Sequence, residues 1–432
     1  MKTVRETALQ ILNKCGSAEQ YSNLALDTAI RRGDFSSADR GLLTALVYGT
    51  IERQLTLDDW IGQLSARPQN EIDAPTRNLL RMGLYQLAYL DRIPDHAAVN
   101  ETVALAPKRT KGFVNAVLRS FLRVGKMLPL PQEPIARLSV QYSVLPAVCQ
   151  AFVDAFGIEK TESVLAAFGK QPALCLRVNT LRTTKEALLD RLCAEGFDAV
   201  ATAESSTGIR LTSAPVASLT GFDEGLFFVQ DEASQLCVEA LDAHAGMTVL
   251  DVCACPGSKS FGAAIDMGNE GRVISCDLHA NKLSLVKSGA ERLGISIIRT
   301  EARDARDTNE AWIGQADRVL CDVPCSGYGV LAKKPELRYK NPEKSAALPD
   351  IQLAIAESAC RYVKAGGRLV YSTCTLLPCE NEENVARFLQ RHPEFRLLRQ
   401  RTLYPDTDGT DGFYFAVLEK TEAVESTVSV TY

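Results

Sequence analysis

The sequence lacks any apolar run that approaches the roughly 18 residues a bilayer-spanning helix needs. Its first residues, Met1 to Glu6, carry charge where a signal peptide needs its apolar region, so we expect a cytoplasmic chain that is not exported. The 432 residues are 46% hydrophobic and 23% charged, which excludes wholesale disorder. This length predicts about three domains.

Spacings typical of metal sites are also missing. The thirteen cysteines include no C-x-x-C pair, and the four histidines, His96, His244, His279 and His392, show no ligand spacing, so we predict no metal. An odd number of cysteines without a secretion signal indicates reduced thiols rather than a disulfide framework. A single free cysteine is more often a small buried hydrophobe than a reactive group.

Two phosphate-binding fingerprints are absent as well. The pattern G-x-G-x-x-G does not occur, and G-x-x-x-x-G-K-[ST] fails because Cys253 and Ser258 stand at its two glycine positions. The chain has instead a strand at Thr248–Cys253, a turn, a helix, and a strand at Arg272–Cys276 followed by Asp277. This order predicts a nucleoside-binding βαβ unit whose acidic residue accepts hydrogen bonds from ribose.

The missing glycines narrow the choice of cofactor. S-adenosylmethionine carries ribose and adenine but no phosphate, so it needs an acidic residue and a tight turn without a glycine cradle. The pattern therefore favours a methyltransferase sheet over a dehydrogenase or an NTPase.

Reactive side chains follow the ends of several predicted strands. From about residue 235 strands alternate with helices, which predicts a mostly parallel α/β sheet. Ligands bind outside the carboxyl ends of such strands. The residues that fall at these ends are Asp251, Asp277, Asp322, Cys325 and Cys374.

Charge is distributed unevenly along the chain. The net charge is −5, but residues 1–126 hold 17 basic and 13 acidic side chains, a net of +4. No acidic residue lies between Glu101 and Glu133, and the apolar spacing from Val114 to Leu122 predicts an amphipathic helix with a basic outer row. This asymmetry suggests a polyanion partner, although for any one basic row the favoured interpretation is solvated charges on a helix bundle.

The predicted fold is multidomain, α and α/β. We expect an all-helical bundle in residues 1–126, a Pro-rich linker in 127–134, a small α+β domain in 135–234 and a Rossmann-like sheet in 235–432. In the third segment, Thr184 is a plausible N-cap for a helix that reaches Glu195.

Several stretches resemble the Sun family of RNA cytosine-5 methyltransferases. They are Asp322–Gly327, Thr373-Cys374, the cofactor loop Asp251–Ser260, the basic stretch Lys333–Tyr339, Pro378–Glu382, Asp411–Tyr414, Arg177–Thr180 and Gln230–Ser234. The N-terminal helices look like an antitermination-factor RNA-binding bundle. Together they are similar to the B type of bacterial small-subunit (16S) rRNA cytosine-5 methyltransferases. The sequence departs from the family pattern at Cys255, Ser258 and Tyr339.

The resemblance implies a reaction and a set of site residues. Cys374 is then the nucleophile, Cys325 the base that assists release, and Asp322 the carboxyl partner of the cytosine, with the reverse order of the cysteines as the alternative. The implied S-adenosylmethionine ligands are Cys253, Ala254, Cys255, Pro256, Gly257, Ser258, Lys259, Asp277, Asp304 and Asp322. The expected RNA-binding residues are Lys108, Arg109, Lys111, Arg119, Arg123, Lys333 and Lys334.

Other interpretations stay open for single residues and for the whole chain. Lys259 is the candidate cation for an ionised Cys374, or else a surface charge at a helix start; Asp304 is an adenine contact or a loop residue. The expected partner is 16S rRNA or an assembling small subunit, bound by a monomer. The alternatives are a non-catalytic RNA-binding or assembly protein with a degenerate sheet and, less favoured, a nicotinamide oxidoreductase.

Overall fold

The computed structural model describes residues 3–17, 22–212, 216 and 219–421. The chain forms two compact units. One is Met1–Gly169 with Leu331–Pro342, and the other is Lys170–Val330 with Glu343–Tyr432. The two units are defined by contacts between residues, and each unit combines two segments of the chain. The domain bounds predicted at 126, 134 and 234 therefore stay predictions.

The first unit is helical, as predicted. Its helices are α1 (Val4–Ser17), α2 (Ser22–Arg32), α3 (Ser37–Glu52), α4 (Gln54–Leu64), α5 (Ala74–Tyr89), α6 (Asp95–Leu105), α7 (Lys111–Arg123), α8 (Pro134–Tyr142) and α9 (Pro146–Phe168), the last interrupted at Phe156 and Gly157. The predicted amphipathic helix is α7, and Val114, Val117, Leu118 and Phe121 are buried in the core of the bundle. Its apolar spacing therefore identified the buried face correctly.

The segment Leu331–Pro342 belongs to the helical unit because two of its side chains bind helix termini. Arg338 is 1% exposed and donates hydrogen bonds to the carbonyl oxygens of Tyr142 (2.9 Å) and Phe168 (2.8 Å). The Tyr339 hydroxyl donates to the Ile51 carbonyl oxygen (2.5 Å) and accepts from the Gln54 amide (3.1 Å). These bonds satisfy carbonyl groups and an amide that helix ends leave without helical partners.

The second unit begins with a small antiparallel sheet. Its elements are β1 (Leu174–Val178), α10 (Lys185–Ala194), β2 (Ala199–Ala201), β3 (Gly208–Leu211) and β4 (Phe227–Val229), with strand order β2-β3-β1-β4. The predicted cap is confirmed, since the Thr184 hydroxyl accepts a hydrogen bond from the Ala187 amide (3.2 Å). Apolar side chains of α10 and the sheet form a separate core.

A seven-stranded sheet follows in the same unit. Its elements are α11 (Glu232–Leu241), β5 (Thr248–Asp251), α12 (Ser258–Asp266), β6 (Arg272–Asp277), α13 (Leu283–Leu293), β7 (Ile298–Ala302), β8 (Ala316–Asp322), α14 (Leu348–Cys360), β9 (Val363–Thr373), α15 (Glu382–Arg391), β10 (Phe395–Leu403) and β11 (Phe413–Lys420). The strand order is β10-β11-β9-β8-β5-β6-β7. Strands β5 to β9 are parallel, and β11 and β10 add antiparallel pairs.

This topology decides where a ligand site lies. Strand β5 has β6 on one side and β8 on the other, so the chain order reverses at β5. A crevice opens outside the carboxyl ends of the strands at such a point. Asp251 and Asp322 end the two strands that border it. None of the described helices has the length and apolarity that a membrane span requires.

Candidate active site

An ion pair joins the start of α12 to the end of β8 at this crevice. Lys259 in α12 is 8% exposed, and its Nζ atom lies 2.6 Å from Oδ2 of Asp322 at the end of β8. The Ser372 hydroxyl in β9 donates to the other carboxylate oxygen (2.8 Å). Burial by itself lowers the pKa of Lys259, but the Asp322 carboxylate more than offsets it, so the pKa is raised. The interpretation of Lys259 as a surface charge is therefore wrong.

The two predicted thiols meet beside this pair. Cys325 follows β8 and Cys374 follows β9, and their Sγ atoms lie 3.1 Å apart. The Cys374 amide donates to the Cys325 sulfur (3.3 Å). The hydrogen bond to Cys374 and burial, together with the charges of Cys374 and Glu380, raise the pKa of Cys325 well above its ordinary value.

Close backbone contacts hold the loops that carry the thiols. Hydroxyls of Ser326 and Thr375 lie 2.7 Å apart and join the two loops. The Gly329 amide donates to the Cys374 carbonyl oxygen (2.9 Å), and the Gly412 amide donates to the Gly329 carbonyl oxygen (2.8 Å). A Cβ atom on Gly329 would lie 1.9 Å from the Gly412 carbonyl oxygen, so this approach requires glycine.

A cavity of about 400 Å³ opens at the ends of β5, β6 and β8, and Pro324, the residue before Cys325, lies in its wall. Five of the predicted cofactor ligands line it: Cys253, Cys255, Asp277, Asp304 and Asp322. Burial and the Asp277 charge raise the pKa of Cys255 to about 12, and burial raises the pKa of Cys253 well above its ordinary value. Both are therefore neutral thiols that shape the wall.

The other predicted ligands lie in the turn after β5 and in the first residues of α12, outside the cavity lining. They are Ala254, Pro256, Gly257, Ser258 and Lys259; Ala254 is buried and Pro256 is exposed. Gly257 has φ +115° and precedes the first residue of α12. Ser258, where the sequence departs from the family pattern, is thus the first residue of α12, and the left-handed backbone conformation is that of Gly257.

Asp304 lies in the loop after β7. The Arg306 guanidinium donates to both of its carboxylate oxygens, with a shortest distance of 2.5 Å. These bonds lower the pKa of Asp304 to about 2, so the residue is an anion in the cavity wall.

Several lining residues escaped sequence reasoning. The missed residues are Val252, Leu278, His279, Lys282, Ala305, Arg306, Pro324, Ile351 and Ile355. Ile351 and Ile355 are one turn apart on α14, far along the chain from the β5 turn. Leu278 directly follows the acidic strand end at Asp277, and this position was a local signal in the sequence; in the structure the residue is 59% exposed.

The predicted RNA-binding side chains lie at the surface of the helical unit. Lys108, Arg109, Lys111, Arg119, Arg123, Lys333 and Lys334 are all exposed. Arg109 forms a loose ion pair with Asp73 (3.6 Å), and Arg119 donates to Asn115 on the preceding turn (2.9 Å). Lys126, at the end of the same basic stretch, is paired with Asp95 (2.7 Å).

His392, which shows no ligand spacing in the sequence, lies beside two other potential metal ligands in the structure. Its Nδ1 atom lies 3.0 Å from Oε1 of Glu394 and 3.7 Å from Sγ of Cys360. This cluster lies near the start of β9, whereas Cys374 follows its end. Nδ1 is engaged by Glu394, and burial raises the pKa of Cys360 to about 12, so the cluster is a His–Glu hydrogen bond beside a neutral thiol.

Comparison with known proteins identifies the family. Residues 238–419 match the model described as 16S rRNA methyltransferase RsmB/F. The probable ribosomal RNA small subunit methyltransferase B of Bacillus subtilis is 38% identical over an alignment of 442 positions, gaps included, which spans 97% of this chain and 99% of that protein. This chain belongs to the RsmB/F family. The predicted family is thereby confirmed.

Other members and domains agree with the RsmB/F assignment. The ribosomal RNA small subunit methyltransferase B of Pseudomonas putida is 37% identical over 89% of this chain and 91% of that protein. Residues 2–123 match the NusB family, and residues 148–217 match the RsmF/B-like ferredoxin-like domain. The crystal structure of PH0851 has a TM-score of 0.82 and 26% identity, and it covers 96% of this chain and 98% of that one. These matches confirm the predicted fold class.

Proposed function

We propose that this chain transfers a methyl group from S-adenosylmethionine to carbon 5 of a cytosine in 16S rRNA through a covalent cysteine adduct. The observation that carries the proposal is the thiol pair Cys325–Cys374, with the paired Asp322 carboxylate beside it, at the edge of a nucleoside-sized cavity. Membership of the RsmB/F family supports rRNA as the substrate. The proposed location is the cytoplasm.

The cavity suits a nucleoside that carries a positive charge and no phosphate. Three carboxylates, those of Asp277, Asp304 and Asp322, face it together with the apolar side chains of Ile351 and Ile355. Asp277 would hold the ribose hydroxyls, and the isoleucines would cover the adenine ring. When bound, S-adenosylmethionine supplies an electrophilic methyl group on a sulfonium.

The thiols and the carboxylate divide the chemistry on the cytosine. Carbon 5 is a weak nucleophile, so the Cys374 thiolate first adds to carbon 6 and the ring electrons move towards carbon 5 and nitrogen 3. Asp322 takes the proton that it shares with Lys259 and donates it in a hydrogen bond to nitrogen 3, which stabilises this density. After carbon 5 has taken the methyl group, Cys325 accepts its proton, the carbon 5–carbon 6 double bond re-forms, and the Cys374 sulfur leaves.

The RNA must present an unpaired base to this site. A cytosine inside a helix is splayed out before it reaches a pocket of this kind, at a cost of a few kcal/mol. We propose that the exposed basic residues of the helical unit bind the phosphates of 16S rRNA or of an assembling small subunit, and that the protein acts as a monomer.

Cysteine substitutions separate the proposed roles. We expect Cys374→Ala to abolish methyl transfer to rRNA while S-adenosylmethionine binding, measured by calorimetry, is retained. Cys325→Ala is expected to accumulate a covalent protein–RNA adduct, visible as a shifted band in a denaturing gel, because release needs the base. Cys193→Ala, at an exposed cysteine in α10, is the matched control.

The outcomes distinguish the alternatives. Full activity of Cys374→Ala contradicts the proposal, and adduct accumulation in Cys374→Ala but not in Cys325→Ala reverses the two roles. Absence of S-adenosylmethionine binding in the unchanged protein favours a non-catalytic assembly protein.

A further inference from the structure

Glu380 is a buried carboxylate beside the Cys325 loop, and no sequence motif assigned it a role. It is 2% exposed, and its Oε2 atom accepts hydrogen bonds from the Ser326 amide (2.9 Å) and from Nε2 of Gln352 (2.8 Å). No ion pair to Glu380 occurs among the residues that the structure describes. A full charge held by neutral donors in a buried place acts strongly on its neighbours.

The charges around the two thiols are arranged asymmetrically. Glu380 binds the amide of the residue next to Cys325, and its negative charge raises the pKa of that thiol. The Lys259 ammonium interacts with the charge of Cys374, and its partner Asp322 accepts a hydrogen bond from Ser372, two residues before Cys374. An anion near one sulfur and a cation near the other favour unequal sharing of a proton.

We propose that Glu380 is a positioning residue that keeps the proton of the singly ionised Cys325–Cys374 pair on Cys325. The proton moves from Sγ of Cys374 to Sγ of Cys325, and the electron pair remains on Cys374, so no atom is gained or lost. This rests on the proposed function, in which Cys374 is the nucleophile. Once the Cys374 sulfur is bonded to carbon 6, Cys325 gives its proton to water, and the resulting thiolate is the base of the release step.

Other groups near the thiols do not reverse this asymmetry. Tyr371 is neutral, since burial raises the pKa of its hydroxyl well above the ordinary value, and it donates to the Glu380 carbonyl oxygen (2.6 Å). Asp322 is bound to Lys259. The Cys374 amide, which donates to Sγ of Cys325, favours charge on Cys325, but a peptide dipole is weaker than the full charge of Glu380.

The variant Glu380→Gln isolates the charge from the hydrogen bonds. Both donors bind the same carboxylate oxygen, so the amide oxygen of Gln can accept both bonds. We measure the alkylation of each cysteine by iodoacetamide against pH in the full-length protein, with the two peptides resolved by mass spectrometry. The expected result is that the apparent pKa of Cys325 falls by about one unit or more and the preference for alkylation at Cys374 declines.

Two further variants complete the test. Glu383→Gln removes an exposed charge from α15 and is expected to leave both alkylation profiles unchanged. Glu380→Asp keeps the charge while it loosens the loop. The difference between the apparent pKa values of the two thiols is therefore expected to persist even where methyl transfer slows.

The proposal is overturned if the alkylation profiles of both cysteines are unchanged in Glu380→Gln, or if only the apparent pKa of Cys374 shifts. If Glu380→Gln does not fold, the proposal is overturned when the apparent pKa values of the two cysteines become equal in Glu380→Asp. Alkylation needs no RNA and no methyl donor. A protein that shows the expected shift without methyl transfer therefore contradicts the proposed function and not the role of Glu380.

Discussion

Asp251 ends β5 behind the Lys259–Asp322 pair and is 1% exposed. One of its carboxyl oxygens accepts a hydrogen bond from the Ser260 hydroxyl (2.7 Å), which in turn accepts from Ser275 (2.7 Å). Burial raises its pKa to about 7, against the bond from Ser260 and with help from the Asp322 charge. At the residue scale, Asp251 is therefore a carboxyl group that keeps its proton below about pH 7.

This raised pKa predicts a pH dependence of stability. Between about pH 4 and pH 7 the unfolded Asp251 is ionised while the folded one keeps its proton, so its contribution to the free energy of unfolding falls as pH rises and levels off above 7. The difference in that free energy between the unchanged protein and Asp251→Asn should fall with a slope of up to about 1.4 kcal/mol per pH unit.

Urea unfolding at a series of pH values measures this slope. The same change at Asp190, an exposed residue of α10, is the control and should give no comparable trend. A difference for Asp251→Asn that stays constant from pH 4 to pH 7 contradicts the raised pKa.

The start of α12 illustrates how one element depends on one residue. Gly257 has φ +115°, and a Cβ atom there would lie 2.6 Å from the Phe261 ring. An L residue in this conformation is strained, and the ring has to move. The cofactor turn therefore needs glycine at 257, whereas Ser258 takes an ordinary helical position.

We expect Gly257→Ala to lower the free energy of unfolding by roughly 1–3 kcal/mol and to weaken S-adenosylmethionine binding. Calorimetry and urea unfolding measure the two effects. Gly112→Ala is the control, because Gly112 lies in α7 where an added Cβ atom would meet no other atom within 4 Å, and alanine there should stabilise by about 0.5–1 kcal/mol. Unchanged cofactor binding in Gly257→Ala would mean that the turn tolerates a shift.

For the molecule as a whole, charged residues are distributed unevenly along the chain. Residues 1–126 have a net charge of +4 although the protein has −5, and the basic side chains on α7 are exposed. Contacts between cations and phosphates release counterions, so they make binding depend on salt. The proposed RNA affinity of the helical unit should therefore depend on salt concentration.

Removal of three charges from α7 tests this dependence. The triple change Lys111→Ala, Arg119→Ala and Arg123→Ala should weaken rRNA binding and reduce the slope of log K against log salt by up to about 2. The matched control removes three exposed charges from the sheet unit, at Arg272, Lys287 and Arg299. Equal effects of the two triple variants would contradict a basic docking surface on α7.

The sequence determined much of this protein by itself. Local apolar periodicity identified α7 and its buried face, and the strand predicted at Arg272–Cys276 is β6, which ends one residue later. The strand predicted at Thr248–Cys253 is β5, which ends two residues earlier, at Asp251.

Tertiary structure alone decided the rest, because those contacts join residues distant in the chain. The Ile351 and Ile355 wall, the Cys360–His392–Glu394 cluster and the link from Glu380 to Ser326 are set by how α14 and the segment after β9 lie against the sheet. No spacing rule reports such pairings. Likewise, the raised pKa of Asp251 is a property of its folded surroundings, because the same carboxyl group would be ionised in water at neutral pH. The pairing of Lys259 with Asp322 also depends on the fold, since the two residues lie far apart in the chain.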